Sequence, residues 1–122
     1  MSTTTVPTQI NLVPAMVQIR SAIGASVGLR LRATHGDGTA FDLTPYAVEA
    51  PIKAEGAEPP VPAWAVVVED GTAILLNLSS ADTTTLGPGG RAIMWHWDVW
   101  LTNTLAPERL LFAHGELGLV AP

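Results

Sequence analysis

Short runs of alternating apolar and polar residues, separated by glycines and prolines, follow one another along most of the chain. The clearest run is SVGLRLRA at 26–33. Its valine and leucines would lie on one face of a β-strand, and its glycine and arginines on the other. Eleven glycines and ten prolines punctuate the 122 residues, and no sustained helical periodicity is visible. Regularly spaced short strands with turn signals between them predict an all-β sandwich or barrel.

The other predicted strands share this alternation and lie at 9–19 (broken at Pro14), 48–53, 63–68, 73–78, 91–101 and 110–120. The pair Asp70-Gly71 suits the positive φ angles of a tight turn, so two of these strands would form a hairpin around it. Taken together, the pattern predicts an all-β, immunoglobulin-like antiparallel β-sandwich of about seven or eight strands.

Two segments have recognisable local chemistry. Pro51 has no N–H to donate to a neighbouring strand, so strand 48–53 is predicted to lie at a sheet edge or to carry a bulge. Ser79–Leu86 is predicted to hold one helical turn, with Ser80 or Asp82 as its N-cap.

A single domain is expected, because 122 residues suffice for one substantial core. Residues 1–8 are polar and predict a loose arm. The domain is therefore divided into an N-terminal arm with the first strand at 1–19 and the β-sandwich at 20–122.

Composition narrows the classes of function. Apolar residues make up 48% of the chain and charged residues only 14%, which favours a subunit whose surface is partly covered by others. A net charge of −5 with only six basic residues argues against a nucleic-acid partner. The absence of cysteine removes disulfide and thiol chemistry. Neither a signal peptide nor an apolar run of the ~18 residues that a membrane span needs is visible.

The stretch MWHWDVW at 94–100 contains three of the four tryptophans. His96 and Asp98 share one face of the predicted strand and lie about 6.5–7 Å apart along it. That separation exceeds the hydrogen-bond reach of about 2.6–3.2 Å that an acid–base pair requires. We therefore favour cross-strand pairing, with Asp98 next to a basic or hydroxyl partner and His96 at a subunit contact, over a catalytic or metal pair.

The remaining motifs predict turns and packing. HGDGTAFD at 35–42 lacks the first oxygen ligand and the final glutamate of a calcium loop. GPGG at 87–90 has no phosphate-loop pattern. We expect no catalytic, cofactor-binding or metal-binding residues, and hence no enzyme.

The residues that stand out are candidates for the core or for an interface. The predicted core residues are Val27, Leu29, Leu31, Leu76, Leu78, Trp95, Trp97 and Val99. The candidate interface residues are Ile10, Leu12, Pro51 and Trp100.

Four phrases occur in an order that resembles a known family. They are DLTPY at 42–46, LNLS at 76–79 with Thr85 and Leu86, WDV at 97–99, and Leu111 followed by Gly115 and Val120. Over about residues 26–120 this order resembles the small immunoglobulin-like domain of bacteriophage tail proteins, including the N-terminal domain of baseplate upper proteins. Lys53 stands where arginine is more usual, and Met94-Trp95 where tyrosine is common.

The resemblance implies a structural role without a catalytic residue set. It implies a tail-tip, baseplate or minor tail subunit of the virion, made in the cytoplasm of the bacterial host. Its expected partners are other tail subunits and further copies of itself, as a trimer or hexamer. Because the chain ends directly after the domain, direct receptor binding is not the favoured role. The alternatives are a carbohydrate- or receptor-binding module for host attachment, a small enzyme, and a bacterial adhesin or secretion-system subunit.

Overall fold

Nine β-strands and one short helix make up the described part of the chain. The structure is a computed structural model, and it describes residues 3–9, 14–53, 62–87 and 93–121. The strands are β1 (Thr3–Gln9), β2 (Ala15–Ala22), β3 (Val27–Thr34), β4 (Tyr46–Glu49), β5 (Ile52–Lys53), β6 (Ala65–Glu69), β7 (Ala73–Leu78), β8 (Ile93–Asn103) and β9 (Arg109–Val120). The helix α1 (Ser80–Leu86) follows β7.

The strands form two facing sheets. One has the order β1-β3-β7-β6 and the other β2-β9-β8-β4, with β5 also pairing with β8. The inner orders β3-β7-β6 and β9-β8-β4 correspond to strands B-E-D and G-F-C of an immunoglobulin sandwich. The all-β sandwich predicted from the alternation is therefore confirmed.

Two details of the predicted fold are corrected. β1 runs parallel to β3, and β2 runs parallel to β9, so both sheets are mixed and not purely antiparallel. The strand count is nine, where seven or eight were expected, because the N-terminal segment contributes a strand to each sheet and Pro51 divides one predicted strand into β4 and β5.

The prediction of a loose arm at residues 1–8 is wrong for the part that the structure describes. Thr3–Gln9 form β1, in which Val6 pairs with Leu31, and the side chain of Thr8 is buried. Threonine and valine are β-branched and favour extended backbone, so a run that reads as polar still forms a strand. The division between 1–19 and 20–122 also falls inside β2, which continues across it.

The core lies between the two sheets. All eight residues predicted for it are buried, and Leu31, Leu76, Trp97 and Val99 are fully inaccessible. Trp64, just before β6, was not predicted to be in the core. Its ring packs edge-on against Trp97, with the ring centroids 5.9 Å apart and the planes at 78°, a favourable geometry for aromatic pairs.

Helix α1 closes one end of the sandwich. Its N-cap is Ser79 and not Ser80 or Asp82; Asp82 instead completes a capping box with Ser79. The buried Thr83 hydroxyl accepts a hydrogen bond from the Gly24 amide and donates one to the Ala25 carbonyl. These bonds attach the helix to the β2–β3 turn.

Gly115 on β9 allows an unusually close approach of β2. A Cβ at this position would collide with the carbonyl oxygen of Val17 and lie 3.1 Å from Cζ2 of Trp97. The obstacles are a strand backbone and a fully buried ring, neither of which can move aside freely. Any side chain at Gly115 would therefore separate β2 from β9 or displace Trp97.

Gly115→Ala should lower the free energy of unfolding by at least about 2 kcal/mol, because the added methyl group overpacks a site bounded by backbone. Gly118→Ala is the matched control. Neither glycine has a positive φ, and a Cβ at Gly118 would meet only the side-chain atoms Met94 Cε at 3.4 Å and Arg20 Cγ at 3.6 Å, with the nearest backbone atom at 3.8 Å. Urea unfolding of both variants checks this, and equal midpoints would contradict the close approach.

The DLTPY segment folds against the β6–β7 turn. The Leu43 amide donates to the Gly71 carbonyl at 2.7 Å, and the Leu43 side chain is buried. Asp42 Oδ1 accepts hydrogen bonds from the amide of Thr44 at 2.9 Å and from its hydroxyl at 2.5 Å. Both bonds hold the pKa of Asp42 below its ordinary value, and the bond from the Thr44 hydroxyl has the larger effect.

Thr44→Val should raise the pKa of Asp42 toward its ordinary value, because the strongest donor is lost while the backbone amide remains. A depressed pKa contributes stability above the unfolded-state pKa that disappears as the pH falls through the folded-state value. The stability difference between wild type and variant should therefore be present at neutral pH and vanish in acid. An NMR titration checks the shift, with Asp37, which Thr39 binds in the same way, as the internal control; a joint shift of both carboxyls would contradict it.

Candidate interaction surface

The sheet β2-β9-β8-β4 presents a polar face to solvent, here called the outer face. Alternation along β8 buries Trp95, Trp97 and Val99 and turns the residues between them outward. The outer face contains Met16, Gln18, Arg20, Lys53, Met94, His96, Asp98, Trp100, His114, Glu116 and Gly118. It therefore brings both candidate residues of MWHWDVW together with side chains from three other strands.

The ionisable residues of the outer face lie on adjacent rungs of the sheet. His96 is opposite Glu116, and Asp98 is opposite His114. The Lys53 ammonium lies 3.1 Å from Asp98 Oδ2, which supplies the basic partner expected for this carboxylate. His114, Glu116 and Lys53 were not predicted to meet His96 and Asp98, although the spacing of two residues in both β8 and β9 is a signal for such rungs.

This arrangement pairs charges across strands and does not concentrate them. Asp98 is directed to Lys53, and Gln18 Nε2 donates to Glu116 Oε1 at 3.4 Å. Within the described ranges, no three His, Asp or Glu side chains are placed to hold a metal ion. The outer face therefore offers hydrogen-bonding and ion-pairing groups.

Trp100 is half-buried at one corner of the outer face. The Arg109 guanidinium carbon lies 4.0 Å from the centre of its ring, and the same guanidinium lies 3.5 Å from the Glu49 carboxylate. This cation–π contact covers one face of the indole. The Trp100 ring is therefore only partly available to a partner.

A shallow depression lies at the opposite end of the outer face. Gly118 has no side chain, and Met94 and Arg20 lean over it from the neighbouring strands. The depression has a volume of about 360 Å³ and is lined by Gln18, Ile19, Arg20, Met94 and Glu116. Its lining mixes aliphatic groups with the Gln18 amide, the Arg20 guanidinium and the Glu116 carboxylate.

Large apolar side chains are exposed mainly away from the paired charges. They are Met16 and Met94 on the outer face, Val67 and Val68 on β6, Leu105 in the β8–β9 turn and Val120 at the end of β9. Leu105 is 85% exposed and Met16 is 63% exposed. None of these is one of the four residues named as interface candidates, although Met16 lies within the N-terminal segment 1–19; exposure at an edge or turn depends on strand order.

The structure describes two of the four candidate interface residues, Pro51 and Trp100. Ile10 and Leu12 lie outside the described residues. Pro51 interrupts the edge strand between β4 and β5, where its carbonyl accepts from the Asp98 amide at 3.3 Å. Trp100 reaches the surface only in part.

In the described segments, no helix has the length and apolar character to cross a membrane.

Comparison with known proteins gives little similarity. No protein-family model and no curated protein matches the sequence. Among solved structures, the cysteine protease inhibitor EhICP2 from Entamoeba histolytica is similar at 9% identity over 96% of each chain, with a TM-score of 0.43. The inclusion body protein PixA from Burkholderia cenocepacia J2315 is similar at 9% identity over 84% of this chain and 63% of that one, with a TM-score of 0.23. Similarities at these TM-scores indicate neither a shared fold nor a shared function.

The Lys53–Asp98 pair should contribute only about 0.2–1 kcal/mol, because the lysine is largely exposed and such pairs are screened by water and salt. A double-mutant cycle with Lys53→Met and Asp98→Asn, measured by urea unfolding at low and high salt, gives the coupling energy. A coupling of several kcal/mol that resists salt would instead indicate a desolvated, preorganised charge site.

Proposed function

We propose that this protein is a structural subunit of a bacteriophage tail, in the tail tip, the baseplate or an associated minor position. It acts through contacts with other tail subunits and with further copies of itself, and not through catalysis. The observation that carries the proposal is the set of large apolar side chains exposed on a surface that is poor in charge.

The exposed apolar residues lie where neighbouring subunits would reach them. Met16 is on the edge strand β2, Val67 and Val68 are on the edge strand β6, and Leu105 is at the tip of the β8–β9 turn. Edges and tips are the parts of a sandwich that protrude. Burial of these side chains would supply the association energy, at about 25 cal/mol per Å² of apolar surface.

The assignment to a tail rests on the resemblance of the four phrases. In this chain those phrases build the fold: DLTPY docks on the Gly71 turn, LNLS ends β7 and caps α1, and WDV forms the centre of β8. They therefore support a similar domain more directly than they support a shared partner.

In solution, the purified protein should form a symmetric trimer or hexamer, because tail components are arranged around an axis and closed symmetry satisfies every interface. Light scattering over a dilution series measures the mass, and negative-stain imaging shows whether rings are present. Met16→Lys and Leu105→Lys should each reduce assembly, whereas Thr84→Lys on the exposed side of α1 should leave it unchanged. A monomer at every concentration would argue against self-assembly.

Phage particles test whether the protein is located in the tail of the virion. Antibodies raised against the purified chain should label the tail in particles produced by the phage that encodes it. Particles that carry no label, from lysates that contain the protein, would exclude a virion component. A rise in the melting temperature with oligosaccharides, but not with control sugars in the same buffer, would favour the receptor-binding alternative instead.

A further inference from the structure

The described strands leave four sheet edges, and three of these edges carry features that oppose pairing with another chain. An edge strand presents unpaired backbone N–H and C=O groups, and natural proteins protect such edges with prolines and charged side chains. β1 contains Pro7, β2 contains the exposed Arg20, and Pro51 interrupts the β4–β5 edge.

The fourth edge, β6, contains no proline and only one charged residue. Its sequence is AVVVE, and within the described strands it pairs with β7 alone. Val67 is 55% exposed and Val68 is 40% exposed. Its one charged residue, Glu69, is bound to Arg30 in the same subunit, with Oε1 2.8 Å from Nη2. β6 is thus an apolar edge whose only charge is already paired.

We propose that β6 pairs antiparallel with β6 of a second copy of this chain across a two-fold axis. The two four-stranded sheets would then form one continuous eight-stranded sheet. This inference rests on the β6 edge alone and does not depend on a role in a phage tail; the two-fold contact would join two single chains into a dimer, or two trimers into a hexamer.

The sequence of β6 is complementary to itself in this arrangement. With the axis at Val67, Val66 of one copy faces Val68 of the other, and the two Val67 side chains meet on the solvent side next to Leu75. Ala65 faces Glu69, so the two Glu69 carboxylates stay roughly 14 Å apart. Each keeps its Arg30 partner, and no like charges are brought together.

The competing occupant, a strand from a different protein, is less well supported. A foreign strand would need its own complementary side chains, whereas the second copy supplies valine for valine on both faces. Because each β6 has only five residues, the paired area is small, and the dimer should be weak, in the micromolar range or weaker.

A single introduced thiol tests both the contact and its register. The natural sequence has no cysteine, so Val67→Cys and Ala65→Cys each carry one thiol on the same strand. In Val67→Cys the two introduced residues would meet at the axis with their Cβ atoms about 4.5–5.5 Å apart, close to disulfide distance. In Ala65→Cys the corresponding separation would be roughly 14 Å. Mild oxidation should give a covalent dimer of Val67→Cys and little of Ala65→Cys.

Sedimentation velocity over a concentration series tests the uncrosslinked protein. Val67→Lys should weaken self-association by roughly fivefold or more, because like charges would face each other across the axis. Leu105→Lys changes a residue that is also exposed but lies at the tip of a turn in the other sheet. It should leave the β6 contact, and hence thiol crosslinking at position 67, unchanged.

Three results would overturn the proposal. The first is equal crosslinking of Val67→Cys and Ala65→Cys, which would place the contact elsewhere or in another register. The second is self-association that Val67→Lys does not weaken. The third is a protein that stays monomeric up to its solubility limit and whose Val67→Cys thiol forms disulfides only with another protein, which would assign the edge to a foreign strand.

Discussion

The close approach of two backbones at Gly115 is the constraint on which the rest of the second sheet depends. The carbonyl of Val17 occupies the space where a Cβ would stand, and the Trp97 ring lies directly beside it. β2 can join β9 only because this space is empty of side chain. Trp97 can then fill the centre of the core and pack against Trp64, so one missing side chain fixes both a strand pairing and the main aromatic contact.

The same constraint explains how the N-terminal segment holds the two layers. β1 joins the first sheet, and β2, next along the chain, joins the second. Val6 in β1 and Val17 and Ile19 in β2 all pack against the common core. Both pairings are parallel, so neither strand extends a neighbouring hairpin; each is held by contacts distant in sequence. The N-terminal segment, whose first eight residues read as a loose arm, therefore contributes a strand to each sheet.

The sequence predicts the strands in which apolar and polar residues alternate regularly. Two features are visible without a structure: the alternation in β3, β7 and β8, and the Asp70-Gly71 turn pair. The structure confirms the turn, with φ angles of 52° and 66° at these two residues. β1 is missed because its threonines read as polar. The parallel partners are missed because pairing between distant strands leaves no local signal. The candidate surface shows the same limit: alternation places His96 and Asp98 on one face, but only strand register brings Lys53, His114 and Glu116 to them.

The distribution of charge indicates which surfaces a partner could cover with a small loss of solvation free energy. Lys53 is paired with Asp98 on the outer face, and Arg109 is paired with Glu49 beside Trp100. A partner that covered these pairs would have to desolvate them, and buried ion pairs often recover no more than that cost. The Leu105 tip presents an apolar side chain, and the β6 edge presents apolar side chains with backbone groups that a paired strand would hydrogen-bond, so covering them carries a smaller penalty. The exposed valines of β6 therefore have a stronger physical claim to an assembly contact than the histidines of MWHWDVW.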